Sequence, residues 1–257
     1  MTGLTTCIII IGSEITRGII QDTNSHWLAR RLTSIGIDVR RVIVVPDDMS
    51  EITWALRACI EACNIVITTG GLGFTSDDIT IPVIAESLGL KRVYSPAVYE
   101  MVKNRLRGRI PEHLEVVYPP EGAEPLLNTV GVSPGFHLVY NGRHLFILPG
   151  VPAEMENIFE GEVMPRLARL TGTSVTAESL AFLRTLKVIT KHEVEAEVDK
   201  LLEPLRVKYK WAYIKTHARK PVEITIQVYG ANREDIDEKV NTLLRELRKI
   251  LEIDVAF

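Results

Sequence analysis

Apolar positions along this chain fall into two regimes, continuous short runs and runs spaced at helical period. Residues 5–11 form an unbroken apolar run, which predicts a strand buried on both faces. A helix follows, capped by Asp22 or Thr23 and running to Leu32, with Trp27, Leu28 and Ile35 spaced to turn toward a sheet and Gly36 as its stop. The same alternation repeats twice. Residues 39–45 read as a strand and 49–63 as a helix with Ile52, Leu56, Cys59, Ile60 and Cys63 on one stripe; residues 65–67 read as a strand and 79–88 as a helix. Three β-α units in a row predict a parallel sheet covered by helices.

Beyond residue 90 the pattern loosens. Residues 96–107 read as a helix and 108–125 as a proline-rich connector. Residues 137–140 and 143–148 flank Asn141-Gly142, a strong hairpin signal. A helix then runs from the Pro149-Gly150-Val151-Pro152 turn to Leu170, with Glu154 in its first turn and Pro152 where a missing N–H costs nothing. Residues 171–174 read as a linker. Strand (180–186), helix (192–205), two strands (209–216, 222–229) and a helix (233–251) then make a small α+β module. The chain thus divides at 1–171 and 172–257.

Polar chemistry gathers where the first strands end. The third runs into Thr68-Thr69-Gly70-Gly71-Leu72-Gly73-Phe74-Thr75-Ser76-Asp77-Asp78-Ile79-Thr80. Glycines at a strand-to-helix turn let backbone N–H groups approach a ligand. Thr75 and Ser76 are positioned to cap the next helix, whose N-terminus favours an anion. Asp77 and Asp78 would repel a phosphate held there unless a divalent cation sat between them. Glu14 in Gly12-Ser13-Glu14, and Asp47 and Asp48 after the second strand, occupy the corresponding loops of the other units. Parallel sheets bind ligands at that edge. No GxxxxGK[ST] occurs, and Gly71-Leu72-Gly73 lacks the third glycine and the first-strand position of a dinucleotide fingerprint.

Bulk properties narrow the class. With 257 residues, 46% hydrophobic and 25% charged, the chain is expected to bury a large core as a globular protein. A net charge of −3 gives no pull toward nucleic acid or anionic membrane. The run at 208–220, KYKWAYIKTHARK, mixes bases and aromatics but reads better as a hairpin with one polar face, so nucleic acid is not the expected partner. Cys7, Cys59 and Cys63 show no metal-ligand pattern; they are expected as three free thiols in a reducing compartment. With no signal peptide and no apolar segment of spanning length, the expectation is a cytoplasmic protein that makes no use of a membrane.

The four motifs, Gly12-Ser13-Glu14 with Asp22-Thr23-Asn24, Val45-Pro46-Asp47-Asp48, Gly70 to Thr80, and Leu148-Pro149-Gly150-Val151-Pro152-Ala153-Glu154-Met155, resemble the molybdopterin-binding domains, and most closely the N-terminal part of the CinA (competence-damage) family. The resemblance covers residues 5 to about 170; the remainder resembles, more weakly, the KH-like middle module of CinA. It has no GxxG loop, so RNA binding is not carried over. No counterpart of the CinA deamidase domain is expected, and deamidase function is not carried over either.

The resemblance implies an α/β fold: a three-layer α/β/α domain with a mostly parallel sheet, followed by the small module. It implies a phosphorylated small molecule as partner, seated by Gly12, Glu14, Gly70, Gly71, Leu72, Gly73, Thr75, Ser76, Gly150, Pro152 and Glu154. Catalytic roles fall on Asp47, Asp78 and Asp77, with Asp47 and Asp78 holding a divalent metal such as Mg and Asp48 or Glu14 in support. The implied activity is that of a metal-dependent ADP-ribose-type pyrophosphatase. Phe74, where CinA usually has proline, leaves two rivals open: molybdopterin adenylyl transfer in molybdenum cofactor biosynthesis, and a non-catalytic module that binds a phosphorylated pterin or nucleotide. Relatives are dimers or trimers, so the resemblance also implies a homo-oligomer.

Overall fold

The computed structural model of the chain describes residues 3–109, 111–171, 183–230 and 232–256. The linker expected after Thr171 and the first residues of the strand expected from Leu180 lie outside the described residues. The described residues fall into two compact units, residues 3–32 with 37–171 and residues 183–256 with 33–36.

In the first unit the three expected β-α units form in order. Strand β1 (Thr5–Ile11) leads through a short helix α1 (Ser13–Thr16) to α2 (Asn24–Ser34); β2 (Asp38–Val45) leads to α3 (Met49–Ala62), and β3 (Ile65–Thr69) to α4 (Thr80–Ser87). Asp22 Oδ1 accepts from Ser25 N at 3.0 Å, which makes it the cap the sequence offered for α2. After α5 (Pro96–Arg105) come β4 (Glu124–Leu126), β5 (Gly135–Tyr140) and β6 (Arg143–Leu148), the last two turning at Asn141-Gly142. Helix α6 (Pro152–Ile158) passes through a π-turn at Phe159–Val163 into α7 (Met164–Thr171).

The six strands make one sheet in the order β2-β1-β3-β6-β5-β4. Strands β2, β1, β3 and β6 run parallel, and β5 and β4 close one side antiparallel. The chain leaves β1 to one side for β2 and returns to its other side for β3, so the strand order reverses at β1, where open α/β sheets keep their ligand crevice. One face carries a core built from Cys7, Ile9, Val66 and Ile147 against Ile52, Leu56, Ile84 and Val98 of the helices. Toward the other layer, Leu28 and Leu32 of α2 and Ile158 and Phe159 are buried, with the Trp27 ring edge-on to Phe159 at 5.3 Å.

One expectation fails inside this core. Cys7 and Cys63 form a disulfide, their Cα atoms 6.0 Å apart, so the chain does not hold three free thiols; Cys59 alone is free. Cys63 is not on the helical stripe with Cys59. It lies one residue past α3 in extended backbone (φ −131°, ψ 155°), and from there it faces the start of β1.

The hairpin carries two stacked histidines. His137 Nε2 and His144 Nδ1 are 3.0 Å apart and share one proton, and the His137 ring lies on Phe146 with centroids 4.6 Å apart. Burial lowers the pKa of both below the ordinary 6.5, with the neighbouring His144 a further cause for His137. Both are therefore neutral in the fold where the unfolded chain would already take a proton. Stability from this pair is complete above about pH 6.5 and is lost as pH falls below it. The expected result is a thermal midpoint that drops between pH 7 and pH 5, with His144→Gln flattening the drop; equal pH profiles for the two proteins would contradict it.

The second unit runs β7 (Leu183–Thr190), α8 (Glu195–Lys208), β8 (Ala212–His217), β9 (Glu223–Tyr229), α9 (Arg233–Ile250) and β10 (Ile253–Ala256), with antiparallel order β10-β7-β9-β8. A small α+β module is what the sequence predicts, and β10 completes a split β-α-β arrangement in its antiparallel sheet. Leu186, Ile224, Ile226, Val240 and Leu247 are among its own buried core. In β8, Ile214 and Thr216 are buried while Tyr213, Lys215 and His217 are exposed, the one-polar-face strand expected there.

Candidate functional site

Three parallel strand ends and the turn after β6 enclose a cleft of about 670 Å³. Its walls include Gly12 and Glu14 after β1, Asp47 after β2, Gly70 to Gly73, Thr75, Asp77 and Asp78 after β3, and Gly150, Pro152 and Glu154 after β6. The topology thus brings together the expected site residues with one exception, Ser76, which is exposed and outside the cleft walls. Asp48 also stands apart. It caps α3, accepting from Ser50 N at 2.9 Å and Glu51 N at 3.1 Å, and lines a different groove. The Ser50 hydroxyl, aided by the Glu51 N–H, lowers its carboxyl below the usual carboxylate value.

The glycine loop is held in shape from outside. Gly70 and Gly71 take φ +111° and +64°, and a Cβ on the first would strike the Ile11 carbonyl, on the second Thr80 Oγ1. Thr80 Oγ1 donates to Gly70 O at 2.9 Å and Ser133 Oγ to Leu72 O at 2.7 Å. Asp78 accepts from Gly73 N at 2.6 Å and from Thr75 N and Oγ1 at 2.8 and 2.6 Å. Thr75 therefore does not cap α4, and neither does Ser76. The N-cap is Ile79 without a side-chain bond, and Thr80 N turns back to Gly71 O at 3.3 Å. The local bond to Asp78 wins because a charged acceptor three residues on outcompetes a helix end. The cradle is correspondingly smaller than the sequence suggests. Gly73 and Thr75 donate to Asp78, while the N–H groups of Gly71, Leu72 and Phe74 donate to no described residue.

The other walls are equally braced. Asp47 Oδ2 accepts from Ser13 N at 2.7 Å and Asp47 N donates to Ser13 Oγ at 3.1 Å, a reciprocal clasp between the β1 and β2 exits. Glu154 Oε2 accepts from Asn128 Nδ2 at 2.5 Å, and Asn128 also binds Ser133 O, so Glu154 supports the segment whose serine pins the glycine loop. Two residues absent from the expected set belong to this machinery, Asn24 and Ser133. Asn24 Nδ2 donates to Thr69 Oγ1 at 3.0 Å and Gly150 O at 2.8 Å, tying α2 to the ends of β3 and β6. The Asp22-Thr23-Asn24 triplet carried the signal for the first; nothing in the sequence singled out the second.

All the acids here are hard oxygen donors, as Mg²⁺ requires. Among the described residues, no three His, Cys, Asp or Glu side chains converge as a metal cage. Asp47 keeps one carboxylate oxygen outside its clasp with Ser13. The donor set fits a cation bound by one or two carboxylates and completed by ligand oxygens, the usual Mg²⁺ arrangement at phosphates, and does not fit a preformed protein cage.

Comparison with known proteins agrees with this geometry. Residues 7–169 match the family described as a probable molybdopterin binding domain. A protein from Caldivirga maquilingensis is 35% identical over 251 residues, covering 93% of this chain and 94% of its own. A CinA-like protein from Petrotoga mobilis is 34% identical over 77% of this chain, which spans about half (49%) of that protein. The crystal structure of the protein CinA from Thermoplasma acidophilum, itself described as of unknown function, superposes with a TM-score of 0.61 at 32% identity, covering 64% of this chain and 99% of that one. No described helix is long and apolar enough to cross a membrane. The chain belongs to the molybdopterin-binding domain family and is a CinA-like member of it.

Proposed function

We propose that the cleft hydrolyses a nucleotide diphosphate of the ADP-ribose type. The observation that carries this reading is the pairing, in one cleft, of the uncommitted backbone N–H groups of Gly71 and Leu72 with the carboxylates of Asp47, Asp77 and Asp78. N–H groups seat a phosphate, and carboxylates beside it are tolerable when a cation is shared between them. Gly71 and Leu72 would bind one phosphate, and Arg17, on the cleft wall, would add the positive charge the loop lacks. Asp47 and Asp78 would hold the divalent cation, which when bound neutralises charge on the phosphoryl oxygens. Glu14 and Asp77, exposed and on the cleft wall, would accept a proton from attacking water. Water adds to phosphorus, the bridging P–O bond breaks, and AMP leaves with ribose 5-phosphate. The test is incubation with ADP-ribose and Mg²⁺ and detection of AMP by mass.

One observation favours a second reading. In this structure the Asp78 carboxylate already occupies two loop N–H groups, which suits a module that binds a phosphorylated pterin or nucleotide without turning it over. Ligand binding without product in the same experiment would support it. Pyrophosphate release from ATP that requires a pterin phosphate would point instead to adenylyl transfer on the same residues.

A further inference from the structure

We infer that the exposed face of the second unit's sheet binds single-stranded nucleic acid, independently of the cleft. Helices α8 and α9 cover the other face, where Val198, Leu202, Val240 and Leu247 pack with Leu186, Ile224 and Ile226. The alternate residues of β7, β9 and β8 point away from that core and fall into cross-strand rows. Lys187, Thr225 and Lys215 make one row, and Thr185, Gln227 and Tyr213 the next.

The chain's net charge of −3 hides a local excess of cations. Residues 204–222 hold six Lys and Arg and no Asp or Glu. Asp199, Glu246 and Glu223 pair with three of them. Lys210, Lys215 and Lys220, and Lys187 on β7, form no ion pair among the described residues. The acids of the face, Glu223 and Asp254, share the row of Ile189 at one end, and Arg219 stands 3.0 Å from Glu223. Lys187 and Lys215 are exposed two strand spacings apart, about 10 Å, a separation from which both can reach phosphates of one strand. Beside them Tyr213 is 52% exposed, a ring on which a base can stack, with the Gln227 amide opposite to bond a base edge. A duplex keeps its bases paired and stacked, so the ring selects single strands. No GxxG loop is needed, because the contact surface is the sheet itself. Lysines on an edge strand also discourage strand pairing, but Lys187 lies on an interior strand, where they have no such use.

The test is fluorescence anisotropy on the full chain with a short labelled oligothymidine that lacks a terminal phosphate, in EDTA, which keeps cation chemistry at the cleft out of the measurement. Two variants change only exposed positions, Lys187→Gln/Lys215→Gln and Tyr213→Ala. The double variant is expected to bind more weakly and to lower the slope of log affinity against log salt by about 1.4, from roughly 0.7 per lost phosphate contact. Tyr213→Ala is expected to weaken binding about tenfold and to leave that slope unchanged. A duplex of the same length and a polyglutamate peptide are each expected to bind about tenfold more weakly than the single strand. Wild type that leaves the oligonucleotide free at low salt would overturn the inference. So would variants that bind like wild type, or a duplex or polyglutamate bound as tightly as the single strand.

Discussion

Asp78→Asn is expected to reduce turnover of a nucleotide diphosphate by a factor of about 10² or more, comparable to removing a major electrostatic group. Two separate consequences combine. The substitution removes a hard anionic oxygen from the acids that would share a cation with the substrate. It also disturbs the loop, since the carboxylate accepts from Gly73 N, Thr75 N and Thr75 Oγ1, and an amide can keep only part of that set. One oxygen becomes a donor aimed at a donor, so a stability loss of about 1–2 kcal/mol should accompany the kinetic one. Steady-state rates at saturating Mg²⁺, with urea denaturation alongside, would separate the two. Full turnover at saturating Mg²⁺ would remove Asp78 from the catalytic set and leave it as the brace of the loop.

The Cys7–Cys63 disulfide carries the other large effect. It closes a loop with a sequence separation of 56, for which chain entropy alone gives about 4 kcal/mol. Cys63→Ser is therefore expected to lower the unfolding free energy by about that amount and the thermal midpoint by about 10 °C. Reducing the wild-type protein should reproduce the shift. Cys59 does not compete for the bond, because burial pushes its thiol up to about 11 and leaves no thiolate to exchange at neutral pH. Identical denaturation curves with and without reductant would contradict the bond's contribution.

What could be read from the sequence, and what could not, follows from where the information resides. The β-α units were legible because continuous apolar runs such as Cys7-Ile8-Ile9-Ile10-Ile11 have no stable home except between two layers of helices. The site was legible because parallel topology places every strand-exit loop on one rim, so spacing alone brought Glu14, Asp47 and Asp78 together. Strands β4 and β10 were not legible. Glu124-Pro125-Leu126 is a strand only through its pairing with β5, and the four residues of β10 are too short to show a period beside an 18-residue helix. The cap at Thr75 misled because local bonding to Asp78 competes with helix capping, and sequence does not show which wins. The disulfide was hidden for a similar reason. Its partners are neighbours through the sheet and not along a helix face.

The cleft's proposed chemistry meets its most direct test in a single incubation of the purified chain with ADP-ribose, with and without Mg²⁺, followed by mass detection of products. AMP and ribose 5-phosphate are expected in equal amounts, formed only with the cation and lost in Asp78→Asn. Intact ADP-ribose in the presence of Mg²⁺, despite measurable binding, would contradict hydrolysis and leave a ligand-binding module.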